Sequence, residues 1–279
     1  MSKVNLSSVE SLSSAQKVNR SLETALDNFS NRESNERSDS FVHILAAPYH
    51  YESSYSYPLI VWLHDAGQTE LELFDVVPKI SAQNYVSVAP RGVETLSKRI
   101  VRSHVNGQLV DESSWTEVVN DWVESEEGIA NAERLVFHSI KEALRKFNVN
   151  SKRIFLLGRG TGATMALRLG LRNPTEFAGV ASIDGTFPSL DNMLLRNWKL
   201  VRDLPVLMIT GTSNVKLSAQ QLRFMHTSGM TVTIRQYNEK PGMADPAQPR
   251  MKRILTDVNR WLIDREQNPQ TPISDIFAQ

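Results

Sequence analysis

The chain has 279 residues, of which 41% are hydrophobic, so it can bury the core of one large α/β domain or of two small ones. Its 31 basic and 31 acidic residues give a net charge of zero, which excludes a strong overall field for holding nucleic acid or an anionic membrane. Cysteine is absent, so disulfides, cysteine-ligated metals and thiol nucleophiles are excluded as well.

The sequence starts without the apolar run of a signal peptide, and no stretch approaches the roughly 18 apolar residues of a membrane span. We therefore expect a cytoplasmic protein with no membrane span. Nothing in the composition calls for a metal or a cofactor.

Residues 1–40 form a polar N-terminal extension rich in Ser, Asn, Glu and Arg. Its last part, residues 31–40, is too polar to offset its ordering entropy by burial and is predicted to be a linker. Earlier apolar residues recur at helical spacing, namely Val18, Leu22, Ala25, Leu26 and Phe29. The simpler interpretation is a helix that packs loosely on the body or is only partly formed. The alternative is an arm that binds a protein partner.

From Phe41 onward, short β-branched or aromatic runs alternate with amphipathic stretches, which is typical of βα repeats around a mostly parallel sheet. The predicted strands are residues 41–46, 59–64, 85–89, 154–157, 179–183, 206–210 and 232–237. The predicted helices are residues 127–147, 162–171, 219–227 and 248–263. There is no internal repeat, so residues 41–266 are predicted to form one α/β domain, followed by an irregular tail at 267–279.

The most informative segment is residues 153–167, where an apolar strand runs into a glycine turn and then into a helix rich in Ala, Leu and Met. The turn reads Gly158-Arg159-Gly160-Thr161-Gly162. A nucleophile elbow has this layout, with Gly-x-Ser-x-Gly holding a strained Ser at its tip. Small residues are needed on both sides because the strand and helix backbones nearly touch there.

This segment resembles the elbow of the phospholipase/carboxylesterase family of α/β-hydrolases, which runs Gly-Phe-Ser-Gln-Gly-Gly-Ala-Met-Ala-Leu. Residues 61–68, Val-Trp-Leu-His-Asp-Ala-Gly-Gln, resemble the family's Leu-His-Gly loop, which supplies an oxyanion donor. Further pieces follow in the family's order, namely residues 89–92 with the Trp115 region, residues 174–188 and residues 205–212. The resemblance covers residues 41–264 and implies an α/β-hydrolase fold, with helices on both faces of a mostly parallel sheet.

Acyl transfer on this fold needs a nucleophile, a base and an acid that orients the base. The resemblance puts Gly160 at the nucleophile, Asn214 at the acid and Met243, within one or two residues, at the base. Glycine has no atom that attacks, and asparagine has no negative charge to stabilise an imidazolium. The comparison therefore predicts that no catalytic residue of the triad is intact.

The histidines give a check that depends less on alignment. None of the six follows the last predicted strand, where the order Ser…Asp…His requires one. They are His43, His50, His64, His104, His138 and His226. We expect His64 to pack beneath the oxyanion loop, and His138 and His226 to be surface or packing residues.

The backbone N–H groups of Ala66 and Thr161 are predicted to keep the form of an oxyanion hole. Thr161 is also the candidate for a displaced nucleophile, although it opens a helix and has no candidate base. The simpler interpretation makes it a small residue in the first helical turn.

The same turn is compatible with dinucleotide binding. Gly158-x-Gly160-x-x-Ala163 satisfies that fingerprint, and Asp184 follows Gly158 by 26 residues at the end of the next strand, where a ribose-binding acid could sit. Against this interpretation, the fingerprint usually marks the first strand of its sheet, and here strands precede it.

A third interpretation makes the altered turn an anion site formed by Arg159, Gly160 and Thr161. Free N–H groups at a helix N-terminus attract carboxylates or phosphates, and a glycine lets such a ligand approach the backbone. The alternative is that Arg159 pairs with a nearby carboxylate of the chain itself.

We therefore predict a non-catalytic homologue of the family's serine hydrolases that acts by binding a small anionic or acyl ligand or a protein. The first alternative is a carboxylesterase or thioesterase with a rearranged active site. The second is a dinucleotide-binding protein.

Overall fold

The computed structural model describes residues 41–105, 108–190, 199–211, 218–237 and 250–267, and only the backbone of residues 98–105 and 108–115. The predicted N-terminal extension, the tail beyond Gln267, Asn214 and Met243 lie outside the described residues.

Nine strands lie in the described part of the chain. They are β1 His43–Ala46, β2 Tyr57–Leu63, β3 Val86–Pro90, β4 Val93–Val105, β5 Gln108–Asp121, β6 Val149–Arg159, β7 Gly179–Ile183, β8 Val206–Thr210 and β9 Val232–Gln236. The helices described are α1 Leu73–Ile80, α2 Glu126–Lys146, α3 Gly160–Arg172, α4 Ala219–Ser228 and α5 Arg250–Gln267, with short 3₁₀ turns at Glu70–Glu72 and Val201–Asp203.

Seven of the strands form the central sheet, in the order β1-β3-β2-β6-β7-β8-β9. β1 is antiparallel to β3, and the other pairings in this sheet are parallel. All seven predicted strands and all four predicted helices are present, and the expected mostly parallel α/β architecture is confirmed. Helix α1 was not predicted, since it is short and contains Pro78.

The sheet is apolar because helices cover it. β2, β3, β7 and β8 are buried along their whole length, which explains why their sequences are nearly continuous apolar runs. Trp62, Phe155 and Trp261 belong to one core cluster that joins the sheet to α5. Each large apolar side chain buried in this way stabilises the fold by roughly 1.5–3 kcal/mol relative to exposure.

The helix ends follow the capping rules. Ser125 precedes α2 and its side chain accepts the Gly128 N–H, while Ser218 and Gln221 form a capping box at the start of α4. α4 ends at Gly229, whose φ of 66° is the left-handed conformation that a helix C-cap often needs.

β4 and β5 form a separate two-stranded antiparallel sheet, paired from Val93↔Asp121 at the root to Val105↔Gln108 at the far end. The family resemblance suggested that residues 89–92 and the Trp115 region lie in a connection between a strand and a helix. The structure places Trp115 on β5. Across the described residues, no helix combines the length and apolarity needed to cross a membrane.

Candidate active site

The glycine turn lies where β6 passes into α3. Arg159 ends the strand in an extended conformation, and Gly160 starts the helix with a φ of 54°. A Cβ on Gly158 would lie 2.5 Å from the carbonyl oxygen of Gly162, and one on Gly162 would lie 2.7 Å from the carbonyl carbon of Leu63. These positions admit only glycine, so the predicted close approach of the strand and helix backbones is confirmed, and the structure adds that the end of β2 lies equally close to Gly162.

The predicted oxyanion donors are brought together. The N–H of Ala66 donates to Oδ1 of Asp65 at 2.8 Å, and the N–H of Thr161 donates to the same atom at 3.2 Å. One donor comes from the loop after β2 and the other from the first turn of α3. Two backbone N–H groups that converge on one oxygen have the arrangement of an oxyanion hole, and here that oxygen belongs to the chain itself.

The Asp65 carboxylate also fills the space beside Gly160. A Cβ on Gly160 would lie 2.6 Å from Oδ2 of Asp65 and closer still to Oδ1. Non-bonded carbon and oxygen atoms do not approach so closely, so any side chain at position 160 requires Asp65 to move.

Asp65 is the residue of the candidate site that the sequence interpretation did not single out. The family resemblance aligns it with the glycine of the Leu-His-Gly pattern, 95 residues before Gly160, which the resemblance aligns with the serine. The sequence signal for this contact was that positions 65 and 160 both differ from the family pattern. One gains a side chain where the other loses one.

Arg159 pairs with carboxylates, as the simpler interpretation of this residue predicted. Its Nη1 donates to Oε1 of Glu72 at 3.2 Å, and its Nε lies 4.0 Å from Oδ2 of Asp65. The other oxygen of Glu72 accepts the indole N–H of Trp62 at 3.0 Å. The anion site predicted at Arg159, Gly160 and Thr161 thus contains a carboxylate of the protein at the N–H groups and a second one beside the guanidinium.

A second ion pair joins Glu70, in the 3₁₀ turn that follows this loop, to Arg91. Glu70 is 3% exposed, and both of its carboxylate oxygens accept hydrogen bonds from Arg91, one of them at 2.6 Å. The hydrogen bond from Arg91 lowers the pKa of Glu70, which keeps the buried carboxylate ionised.

His64 packs beneath the loop, as predicted, and both ring nitrogens are used there. Nε2 accepts the N–H of Gly92 at 2.9 Å, so Nδ1 carries the proton and donates to the carbonyl oxygen of Asp65 at 2.8 Å. The ring is fully buried, and burial lowers its pKa. Trp122 donates its indole N–H to the carbonyl oxygen of His64 at 2.9 Å. This imidazole is a neutral structural group.

The hydroxyl of Thr161, in the first turn of α3, has no base in contact with it among the described residues. Oγ1 is buried and has no hydrogen-bond partner among the described residues. A nucleophilic hydroxyl needs a base within hydrogen-bond reach, and no such contact is present for Thr161 in this part of the chain. His138 packs away from the elbow, against Phe41 and His43, with ring centroids 4.6 Å and 5.6 Å apart.

Asp184, the candidate ribose ligand, directly follows β7, which pairs with β6, and it has a φ of 54°. Oδ1 accepts the N–H of Gly211 at 3.0 Å, and Arg250 donates to both carboxylate oxygens at 2.6 and 2.8 Å. A carboxylate engaged in this way is not available to a ribose diol. The negative charge of Asp65 at the helix N-terminus would also repel a pyrophosphate bound there. The geometry therefore argues against the dinucleotide interpretation.

These features define an α/β-hydrolase: a mostly parallel sheet, a strand–turn–helix elbow and an oxyanion loop that meets it. The sequence profile of the phospholipase/carboxylesterase family matches residues 52–245, so the chain belongs to that family. No curated protein matches the chain by sequence.

Several solved structures share the fold. A carboxylesterase from Bacillus cereus is 15% identical with a TM-score of 0.50, over 85% of this chain and 98% of that one. SOBER1 from Arabidopsis thaliana is 16% identical with a TM-score of 0.51, over 76% of this chain and 100% of that one. A phospholipase/carboxylesterase from Dyadobacter fermentans is 13% identical with a TM-score of 0.51, over 81% and 99%.

Proposed function

We propose that this chain is a non-hydrolytic member of the phospholipase/carboxylesterase family that acts by binding a ligand or a protein. The observation that carries the proposal is the position of the Asp65 carboxylate, which occupies both the oxyanion donors and the space beside Gly160.

An oxyanion hole stabilises negative charge that develops in the transition state, and its value depends on the donors being free at that moment. Here the donors already bind a full negative charge. A tetrahedral oxyanion would have to displace that charge or lie next to it, and two like charges in a partly buried site repel each other. The contact therefore supports loss of acyl transfer independently of the missing nucleophile.

The residues expected at the triad positions lead to the same proposal. Gly160 has no side chain, and the resemblance assigns the acid and base positions to Asn214 and Met243. Both ring nitrogens of His64 are engaged by the backbone, Nε2 by the N–H of Gly92 and Nδ1 by the carbonyl oxygen of Asp65, so neither is free to take a proton from Thr161.

The rival function is a carboxylesterase or thioesterase with a rearranged site, in which Thr161 attacks the acyl carbon. One observation favours it: the Thr161 hydroxyl is buried beside the elbow with no hydrogen-bond partner among the described residues. In this rival, Asp65 would have to leave the N–H groups before the substrate binds.

Turnover of p-nitrophenyl acetate and butyrate by the purified chain and by Thr161→Ala separates the two functions. The proposal expects both proteins to release p-nitrophenol at the same rate as a solution of an unrelated protein. Turnover that is lost on Thr161→Ala would establish the rival.

If the binding partner is a small anion, it must compete with Asp65 for the Ala66 and Thr161 N–H groups and with Glu72 for Arg159. The thermal shifts of the parent and Arg159→Ala in carboxylates and phosphates test this form of the proposal. Equal responses of both proteins to every anion would rule out an anion held by Arg159. If the partner is a protein bound through residues 1–40, their removal abolishes its capture.

A further inference from the structure

We propose that the root of the β4–β5 hairpin holds the Asp65 carboxylate on the N–H groups of Ala66 and Thr161. The root consists of Gly92, which directly precedes β4, and residues 120–122, at the end of β5 and just after it. The inference deepens the proposed function: it takes these two N–H groups as the ligand site and identifies what keeps the site filled by the chain itself.

The two ends of the hairpin meet beside His64. Val93 pairs with Asp121 at the first step of the ribbon. A Cβ on Gly92 would lie 2.6 Å from the carbonyl oxygen of Asp121 and 3.2 Å from Cε1 of His64. A side chain at position 92 would therefore push the two strands and the imidazole apart, so the root and His64 are packed as one unit.

Hydrogen bonds from the root hold both ends of the loop that runs from His64 to Gly67. At the first end, Nε2 of His64 accepts the N–H of Gly92, and the carbonyl oxygen of His64 accepts the indole N–H of Trp122, both at 2.9 Å. At the other end, the N–H of Gly67 donates to the carbonyl oxygen of Asn120 at 2.9 Å. The two residues between these anchors carry the carboxylate and the first N–H donor of the site.

The peptide unit between Asp65 and Ala66 connects the root to the site. Its carbonyl oxygen accepts the Nδ1–H of His64 at 2.8 Å and the N–H of Gln68 at 3.0 Å. The carbonyl and N–H groups of a planar trans peptide point in opposite directions. The two bonds therefore aim the N–H of Ala66 at Oδ1 of Asp65, to which it donates at 2.8 Å. The same oxygen accepts the N–H of Thr161.

The hairpin root is thus a positioning element for the site. When the root opens, the amide of Gly67 loses the carbonyl of Asn120. The Asp65 carboxylate moves with the loop, so the amides of Ala66 and Thr161 lose their acceptor in the same event. Gly67 is bonded to β5, whereas Thr161 belongs to α3, so equal protection of these two amides is a specific consequence of the proposal.

Hydrogen exchange of the full chain without any ligand, measured by NMR, tests this consequence. Amides that are released by one local opening have similar protection factors. We expect the protection factors of Gly67, Ala66 and Thr161 to agree within about tenfold. A larger difference between Gly67 and Thr161, in either direction, would overturn the proposal, because the root and the carboxylate would then open separately.

Trp122→Phe tests the cause, since it removes the indole N–H that holds the carbonyl of His64 and keeps an aromatic ring. Exchange of both Ala66 and Thr161 should become about fivefold faster, as expected for the loss of one hydrogen bond. Trp261→Phe is the matched control. Trp261 is also buried, at 2% exposed against 4% for Trp122, but it lies in the core cluster with α5, so its truncation should leave both amides at the parental rate.

Three results with these variants would overturn the proposal: parental rates in Trp122→Phe, equal acceleration by both tryptophan substitutions, or acceleration of Ala66 without Thr161. The last result would mean that the root holds the loop but not the carboxylate. These measurements need neither a ligand nor turnover. Hydrolysis of esters by the parent would overturn the proposed function and would leave the exchange result unchanged, so the two failures are distinguishable.

Discussion

The carboxylate of Asp65 lies against Gly160 where a side chain at that position would start, with Oδ2 2.6 Å from the site of a Cβ. The same carboxylate accepts the two N–H groups that would hold an oxyanion. If the family resemblance sets the alignment, this chain has a glycine on the helix and an aspartate on the loop in place of a serine on the helix and a glycine on the loop. A reversion at one of the two positions alone is therefore expected to fail.

Gly160→Ser should destabilise the protein by about 2–4 kcal/mol, because the new Cβ collides with Asp65 and the backbone is in the left-handed region. Gly229→Ser is the matched control: its φ is 66°, but a Cβ there would meet its nearest neighbour at 4.0 Å, so it should cost only about 1 kcal/mol. Urea unfolding measures both changes.

The double variant Asp65→Gly/Gly160→Ser should lose less unfolding free energy than the two single variants lose together, by at least about 1 kcal/mol, because the two residues are in contact. Additive single and double changes would show that Asp65 does not constrain position 160.

Asp65→Gly should create an anion site by freeing the N–H groups of Ala66 and Thr161 beside Arg159. Acetate or phosphate is then expected to raise the melting temperature of this variant by a few degrees while leaving the parent unchanged. Asp65→Asn is the control, because its amide oxygen still accepts the two N–H groups. A parent that responds to acetate as strongly as Asp65→Gly would contradict a site filled by its own carboxylate.

The fold could be predicted largely because its signals are local. Buried parallel strands are continuous apolar runs, and helices covering them are amphipathic, so the central sheet and four of its helices follow from the pattern. The β4–β5 hairpin was missed although Asn106-Gly107, between two β-rich stretches, is a strong hairpin signal. The family resemblance had assigned part of that region to a connection.

The site could be predicted only where backbone motifs define it. The glycine turn and the donors of Ala66 and Thr161 follow from motifs with fixed backbone geometry. Asp65 and Gly160 are 95 residues apart in the sequence, and local patterns of apolar residues carry no information about a contact between residues so far apart.

Stability should fall as the pH drops below about 6.5, with His64 contributing a slope of up to about 1.4 kcal/mol per pH unit. Burial lowers the pKa of His64 from its ordinary value of 6.5, so below that pH the unfolded chain binds a proton that the folded chain does not. Above pH 6.5 this contribution to stability is fully present.

Urea unfolding between about pH 5 and pH 8 measures the slope of the parent, of His64→Gln and of His226→Gln. His226→Gln, at an exposed position near the end of α4, should keep the slope, and His64→Gln should flatten it. The His64 Cε1–H resonance gives an independent check, since burial should place its titration midpoint in the folded protein below 6.5. A His64 that titrates at or above 6.5 in the folded protein would contradict the prediction.

Asp184→Asn should destabilise the fold by about 1–2 kcal/mol, because it removes the charge that binds both ends of the Arg250 guanidinium while keeping a side chain that tolerates positive φ. The pair is partly exposed, at 25% for Arg250 and 31% for Asp184, so the full cost of a buried ion pair does not apply.

Glu142→Gln is the control for this pair. It breaks an ion pair with Arg145, whose side chain is 71% exposed, and should change stability little. Equal effects of the two substitutions in thermal unfolding would show that the Arg250 pair does not join β7 to α5.

The most direct test is intact-protein mass spectrometry after incubation with a fluorophosphonate, which phosphonylates an activated serine or threonine hydroxyl. With Asp65 filling the elbow and no base in contact with Thr161 in the described part of the chain, the mass of the chain should stay unchanged during hours in which a catalytic serine hydrolase is labelled to completion. A single phosphonyl adduct that forms on the parent and is absent from Thr161→Ala would contradict the account.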